Sequence, residues 1–169
     1  LPGVQAAGES GKLMVRGGDS REAQTFIDEM HVLSPYTYTP ENSAARGRYS
    51  PFLFEGINFS SGGFSSDYSQ SLSSVLPLTT KDESPVTKIG ISLLSVGMGG
   101  GGTKAWANSS LSFNGDYQNI GPYNKLFPDS YDWINPYQRI SGESKFRKTL
   151  VNKGIWKTYL AYDRTSFAQ

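Results

Sequence analysis

The chain has 169 residues, of which 37% are hydrophobic, 18% charged and 13% aromatic, and its net charge is +1. That length suits one domain with a real core, and the aromatic content with so little net charge excludes disorder. Cysteine is absent and His31 is the single histidine, which excludes a thiol nucleophile, a disulfide framework, an iron–sulfur cluster and a structural zinc site, and leaves one imidazole for any Ser-His-Asp triad.

Residues 1–18 read as a flexible N-terminal arm, with Leu13-Met14-Val15 as a brief edge strand ended by Gly17-Gly18. Residues 19–162 read as a single mixed domain and residues 163–169 as a polar C-terminal tail. Asp19 to Leu33 is expected to be a helix. Asp19 can cap it with Glu22 three residues on, Ala23, Phe26, Ile27 and Met30 make one apolar stripe, and Ser34-Pro35 stops it. His31 lies at the margin of that stripe, where a half-buried or surface imidazole is the bland expectation. Residues 35–58 alternate tyrosine, threonine and proline, favouring extended backbone. Arg46, Arg48 and Tyr49 follow, suited to stacking on flat ligands or to anchoring the segment on its own core. The serine-rich stretch from Phe59 to Thr80 reads as a long surface loop, with Leu72, Val75, Leu76 and Leu78 packing at its end.

The centre of the sequence is Val86 to Asn119. An apolar run from Ile89 to Val96 leads into five glycines within residues 97–102, and a half-apolar run with Ala105, Ala107, Leu111 and Phe113 follows. This predicts strand, glycine loop, strand. Gly97, Gly99 and Gly102 match G-x-G-x-x-G, but no helix opens at the loop to meet a pyrophosphate. Thr103-Lys104 also reverses the Lys-Ser/Thr order of a P-loop. A flexible hairpin loop, or a close approach of another backbone, is the simpler reading. Asn114-Gly115-Asp116 reads as a turn.

Tyr117 to Tyr137 is dense in aromatics and prolines and carries Asp129 and Asp132. It suits an aromatic binding platform or an irregular lid. Ser141 to Asn152 is expected to form a second helix with Phe146, Leu150 and Val151 as its stripe and Gly154 at its C-terminal end. Residues 155–162, IWKTYLAY, predict a strand.

These elements predict an α+β fold: one small domain with a central antiparallel hairpin or sheet, two short helices and long irregular, extended segments. The two strongest apolar faces, Phe26/Ile27/Met30 and Ile89/Ile91/Leu93, are expected to pack together. Charge is uneven, since residues 139–164 hold seven basic side chains against two acidic ones. The expected function is a non-enzymatic structural or accessory subunit, linker- or coat-like, that binds other protein subunits with an acidic surface in a larger assembly. Two surfaces would bind: the basic end with Arg147, Lys148, Lys153 and Lys157, and the aromatic run with Tyr123, Phe127, Tyr131, Trp133 and Tyr137. The alternative is a carbohydrate-binding or glycoside-cleaving domain using the aromatic, Asp-rich stretch 116–137, with Asp116, Asp129 and Asp132 beside Trp133. No cofactor and no metal are expected. Nucleic acid is disfavoured because the isoelectric point is only ≈ 8.1 and no recognition motif is present. Without an apolar run of about eighteen residues, the chain is expected not to be transmembrane.

Overall fold

The computed structural model describes residues 4–6, 12–40, 46–55, 58–68, 71–81, 86–128 and 133–168. The chain forms two compact units, Leu1–Lys81 and Asp82–Gln169.

In the first unit, β1 (Val4–Ala6) and β2 (Leu13–Val15) pair antiparallel. A second sheet has β3 (Ala23–Ile27) at its centre, antiparallel to β4 (Met30–Val32) and parallel to β5 (Ser74–Leu78). Residues 19–33 are therefore a turn and a hairpin, not a helix. Asp19 does organise the local backbone, but as a turn: its carboxylate accepts the Arg21 N–H at 2.9 Å and its carbonyl accepts the Glu22 N–H. Asp28 and Glu29 both take positive φ (43° and 70°), which breaks any helix and makes the tight hairpin turn. The helix-like spacing arises because β3 is buried on both sides, with Thr25, Phe26 and Ile27 all buried, so apolar residues fall at both parities. His31 sits opposite Phe26 with ring centroids 5.2 Å apart, and Tyr68 meets the same ring edge-on at 4.7 Å.

The serine-rich stretch contains β5 and so is not simply a loop. Val75 and Leu78 join Val15, Phe26, Ile27, Leu53 and Phe54 in the core, whereas Leu72 is exposed. The unit is pinned by Asp28, whose carboxylate accepts both the backbone N–H and the hydroxyl of the fully buried Thr80.

The second unit is a five-stranded antiparallel meander in sequence order. Its strands are β6 (Lys88–Leu94), β7 (Gly97–Ala105), β8 (Ser109–Asn119), β9 (Asn135–Thr149) and β10 (Ile155–Ala168). The six-residue α1 (Gly121–Leu126) lies in the connection from β8 to β9. The fold is thus predominantly β, and the α+β expectation with two short helices is corrected. Residues 141–152 belong to β9 and its following turn. Leu150 accepts from Lys153 and donates to Gly154, so this glycine closes a strand turn and not a helix.

Residues 97–102 are the start of β7 and not a loop. A Cβ on Gly97 would overlap the Tyr117 carbonyl oxygen, and one on Gly99 would overlap the Asp116 carboxylate. Close approach by β8 at Gly97, Gly99 and Gly101, and by the Lys88 carbonyl of β6 at Gly102, explains these glycines better than flexibility. Likewise Asn114-Gly115-Asp116 runs through the middle of β8 instead of turning.

Candidate functional site

The five-stranded sheet sorts its side chains by parity, as a pleated strand must. Cross-strand rows put Ile89, Gly102, Phe113, Ser144 and Leu160 side by side on one face, then Ile91, Gly100, Gly115, Gly142 and Tyr162, then Leu93, Met98, Tyr117, Ile140 and Arg164. Leu111, Phe146 and Trp156 extend the same face toward the other end. Most of these apolar side chains are exposed: Ile91 at 81%, Leu93 at 80%, Leu160 at 66%, Tyr162 at 58%. Ile89, Ile91 and Leu93, expected to lie in a core, are instead exposed. Charges on this face stand only toward its ends: Lys104 and Lys148 at one, with Trp106 and Trp156 close by, and Arg164 at the other. A shallow depression of about 330 Å³ opens over Gly142, bordered by Ser144, Leu160 and Tyr162.

The opposite parity is polar and largely buried. Thr103, Ser110, Ser112, Arg139, Ser141 and Glu143 are buried, and Lys145 is only 3% exposed. Several polar groups on this face are paired, across strands or within one. Arg139 donates from Nε to Asp163 Oδ2 at 2.7 Å, and its Nη2 lies 2.6 Å from the same oxygen. Tyr159 donates to Glu143 at 2.8 Å, Thr103 and Ser112 share a 2.9 Å hydroxyl bond, and Asn114 donates to Asp116. A buried ion pair persists only when such partners compensate its desolvation.

The structure distributes the residues expected to bind partners. Arg147 and Lys157 lie directly opposite each other on the polar face. Lys148 points to the apolar face, paired with Trp156. Lys153 sits in the β9–β10 turn with φ 60°. Tyr123 and Phe127 stack at 5.0 Å along α1, and Tyr137 stacks on Phe167 at 6.0 Å. Trp133 is half-buried just before β9. Tyr131, and with it Asp129 and Asp132 of the carbohydrate reading, lies outside the described residues. Asp116 is engaged with Asn114 within β8.

The residues that sequence reasoning missed are the exposed apolar parity itself. Its signal was present as a period of two: Ile89, Ile91, Leu93; Leu111, Phe113, Tyr117; Trp156, Leu160, Tyr162. Glycines and Ser144 interrupt it, so no single strand stands out. No helix among the described residues is long and apolar enough to cross a membrane. Among the described residues no group of three acidic or histidine side chains could hold a metal ion. No protein-family model, curated protein or solved structure matches the chain.

Proposed function

We propose that Asp82–Gln169 is a bilayer-facing sector of an antiparallel transmembrane β-barrel, a non-enzymatic wall element with its apolar parity toward lipid and its polar parity toward a lumen. One observation carries the reading: the polarity of the sheet is inverted. A sheet of a water-soluble domain buries its apolar parity and wets its polar one. Here Lys145, Glu143 and the Arg139–Asp163 pair are buried while Ile91, Leu93 and Leu160 are exposed. Apolar-out, polar-in alternation is the pattern of membrane-spanning strands.

Magnitudes support lipid as the medium. Eleven large apolar side chains on this face are more than a third exposed. Leaving them in water forgoes on the order of 10–20 kcal/mol of burial, comparable to the whole stability of a domain. The nine residues from Trp156 to Arg164 extend about 27 Å, within the roughly 9–11 residues of a tilted membrane strand. Trp106 and Trp156 near one end and Tyr117 and Tyr162 toward the other suit the two interfaces. The expectation that nothing crosses a bilayer considered helical spans alone. Hydrocarbon tolerates no open sheet edge, and about eight strands are the fewest in such barrels. Partners for β6 and β10 must therefore lie outside these five strands.

A protein partner on the apolar face would also remove it from water. That reading leaves unexplained why the polar parity is buried, because a soluble sheet covered on one side keeps the other wet. The lack of native cysteine allows a direct test. Single Leu160→Cys and Ser141→Cys variants of the full chain, labelled with an environment-sensitive dye in lipid vesicles, should report hydrocarbon and a polar site respectively. A Leu160 label that stays accessible to a water-soluble quencher in vesicles would refute the barrel sector.

A further inference from the structure

We propose that the end of the apolar face carrying Lys104, Trp106, Lys148 and Trp156 is a docking site for the phosphate headgroup of an anionic phospholipid. The proposal rests on the bilayer-facing reading of that face. Register and the Trp106 N–H to Ser109 carbonyl bond put Trp106, Ser109, Lys148 and Trp156 in one cross-strand row. The next row of the same parity holds Lys104, Leu111, Phe146 and Thr158. Strand spacing and rise place the two lysines about 12 Å apart, on either side of Ser109 and Leu111. Both lysines and both tryptophans are exposed. Neither lysine enters an ion pair among the described residues. Charge sorts by parity across the whole sheet. Lys104, Lys148 and Arg164 share the apolar parity, and no carboxylate stands on it among the described residues, because Asp116, Glu143 and Asp163 all lie on the opposite one.

The chemistry of these side chains selects the occupant. A lysine carries its charge at the tip of an apolar stem, so the ammonium reaches the headgroup layer while the methylenes stay along the hydrocarbon. Tryptophan has an apolar body and one N–H donor, and belongs at the same level. A lipid phosphate seated between the two ammonium groups would find the Ser109 hydroxyl between them, and its acyl chains would run over Leu111, Phe113, Phe146 and Leu160, which continue the face toward its middle. A zwitterionic headgroup brings a cation of its own against the lysines, so the site favours a lipid with net negative charge. An acidic protein segment matches the charges but not the apolar rows that continue from them. The other end of the face offers one cation, Arg164, in the row of Tyr117. The selection therefore belongs to one leaflet.

The probe is an equimolar vesicle of phosphatidylcholine and phosphatidylglycerol with bromine on the acyl chains of one lipid or the other, and the readout is tryptophan quenching in the reconstituted full chain. Brominated phosphatidylglycerol should quench more strongly than brominated phosphatidylcholine. Lys104→Gln and Lys148→Gln should each cut the enrichment of the anionic lipid by about fivefold, the effect of one basic residue beside an anionic lipid surface. Lys148→Arg should keep it, and Arg164→Gln, at the far end of the same face, should leave it unchanged. Trp133, before the other end of β9, is a background common to every variant, and near-UV circular dichroism checks that each remains folded. The Leu160→Cys label in pure phosphatidylcholine vesicles tests the barrel reading separately. A label in hydrocarbon with no preference between the brominated lipids overturns the headgroup site alone, whereas a label open to the aqueous quencher overturns both. The proposal is also overturned if glycerol phosphate, which has no acyl chains, or a soluble acidic peptide displaces the brominated lipid, or if Lys104→Gln combined with Lys148→Gln retains the wild-type preference.

Discussion

Asp28 shows how one side chain can determine a turn and a core contact together. Its positive φ closes the β3–β4 hairpin while its carboxylate receives two donors from Thr80, which is fully buried. Asp28→Ala leaves both donors without an acceptor and should destabilise the first unit by about 2–4 kcal/mol, read from denaturant melts. Asp19 offers a contrast. The Arg21 backbone N–H, and then its side chain, hold the Asp19 carboxyl below its ordinary pKa. A depressed carboxyl contributes stability above its unfolded value and loses it as pH falls through the folded value. Any deficit of Asp19→Asn should therefore be present at neutral pH and disappear on acidification. Because the side chain is exposed, solvent keeps that deficit small. On the polar face, Arg139→Met leaves Asp163 buried without its guanidinium partner and should cost about 3–5 kcal/mol, whereas Arg139→Met with Asp163→Leu should recover much of the loss.

At the scale of elements, the glycines of the five-stranded sheet divide by what their missing side chain would meet. Gly97 faces the backbone of β8 with no room for a methyl group, while nothing stands within 4 Å of a Cβ on Gly142. Gly97→Ala should break the β7–β8 register or cost more than about 1 kcal/mol. Gly142→Ala should be neutral or stabilising, because glycine weakens a strand wherever its absence of side chain is not needed. Melting both variants side by side checks this. The two segments expected to be helices failed for different reasons. In β3, burial on both sides placed apolar residues at helical spacing. In β9, the apolar parity is filled by Gly142 and Ser144 between Ile140 and Phe146, so the period of two was diluted. The apparent stripe of Phe146, Leu150 and Val151 joined a strand residue to two turn residues.

At the scale of the whole molecule, the exposed apolar face dictates the environment the second unit needs. Ile91→Lys or Leu160→Lys, both in the uncharged middle of the face, should disfavour integration by about 2–4 kcal/mol if the face lies in hydrocarbon. Flotation of the full chain with vesicles reads this directly. The same substitutions should increase recovery of unlipidated protein from water, since each breaks the contiguous apolar patch. Among the described residues no strand pairs with the outer edge of β6 or β10, and on the proposed barrel reading these edges belong to this scale as well. An unpaired strand edge recruits another strand, so cross-links between Cys residues placed on β6 or β10 and their neighbours should capture antiparallel partners in the membrane.

The sequence by itself determined the chemistry that is excluded, strands at residues 13–15, within the run 89–96 and at 155–162, and the special character of the glycine run. It also held the alternation that distinguishes the two faces. It did not determine which parity points where, because a period of two is the same whether the apolar residues face a core or face outward. That choice was made by pairing: the register of five strands brings Arg139 to Asp163 and Tyr159 to Glu143 on one side, and Ile89, Phe113 and Leu160 into one row on the other. Partners 16 to 24 residues apart along the chain satisfy the buried charges only once the meander has formed. No local window of sequence could reveal that the polar side is the buried one.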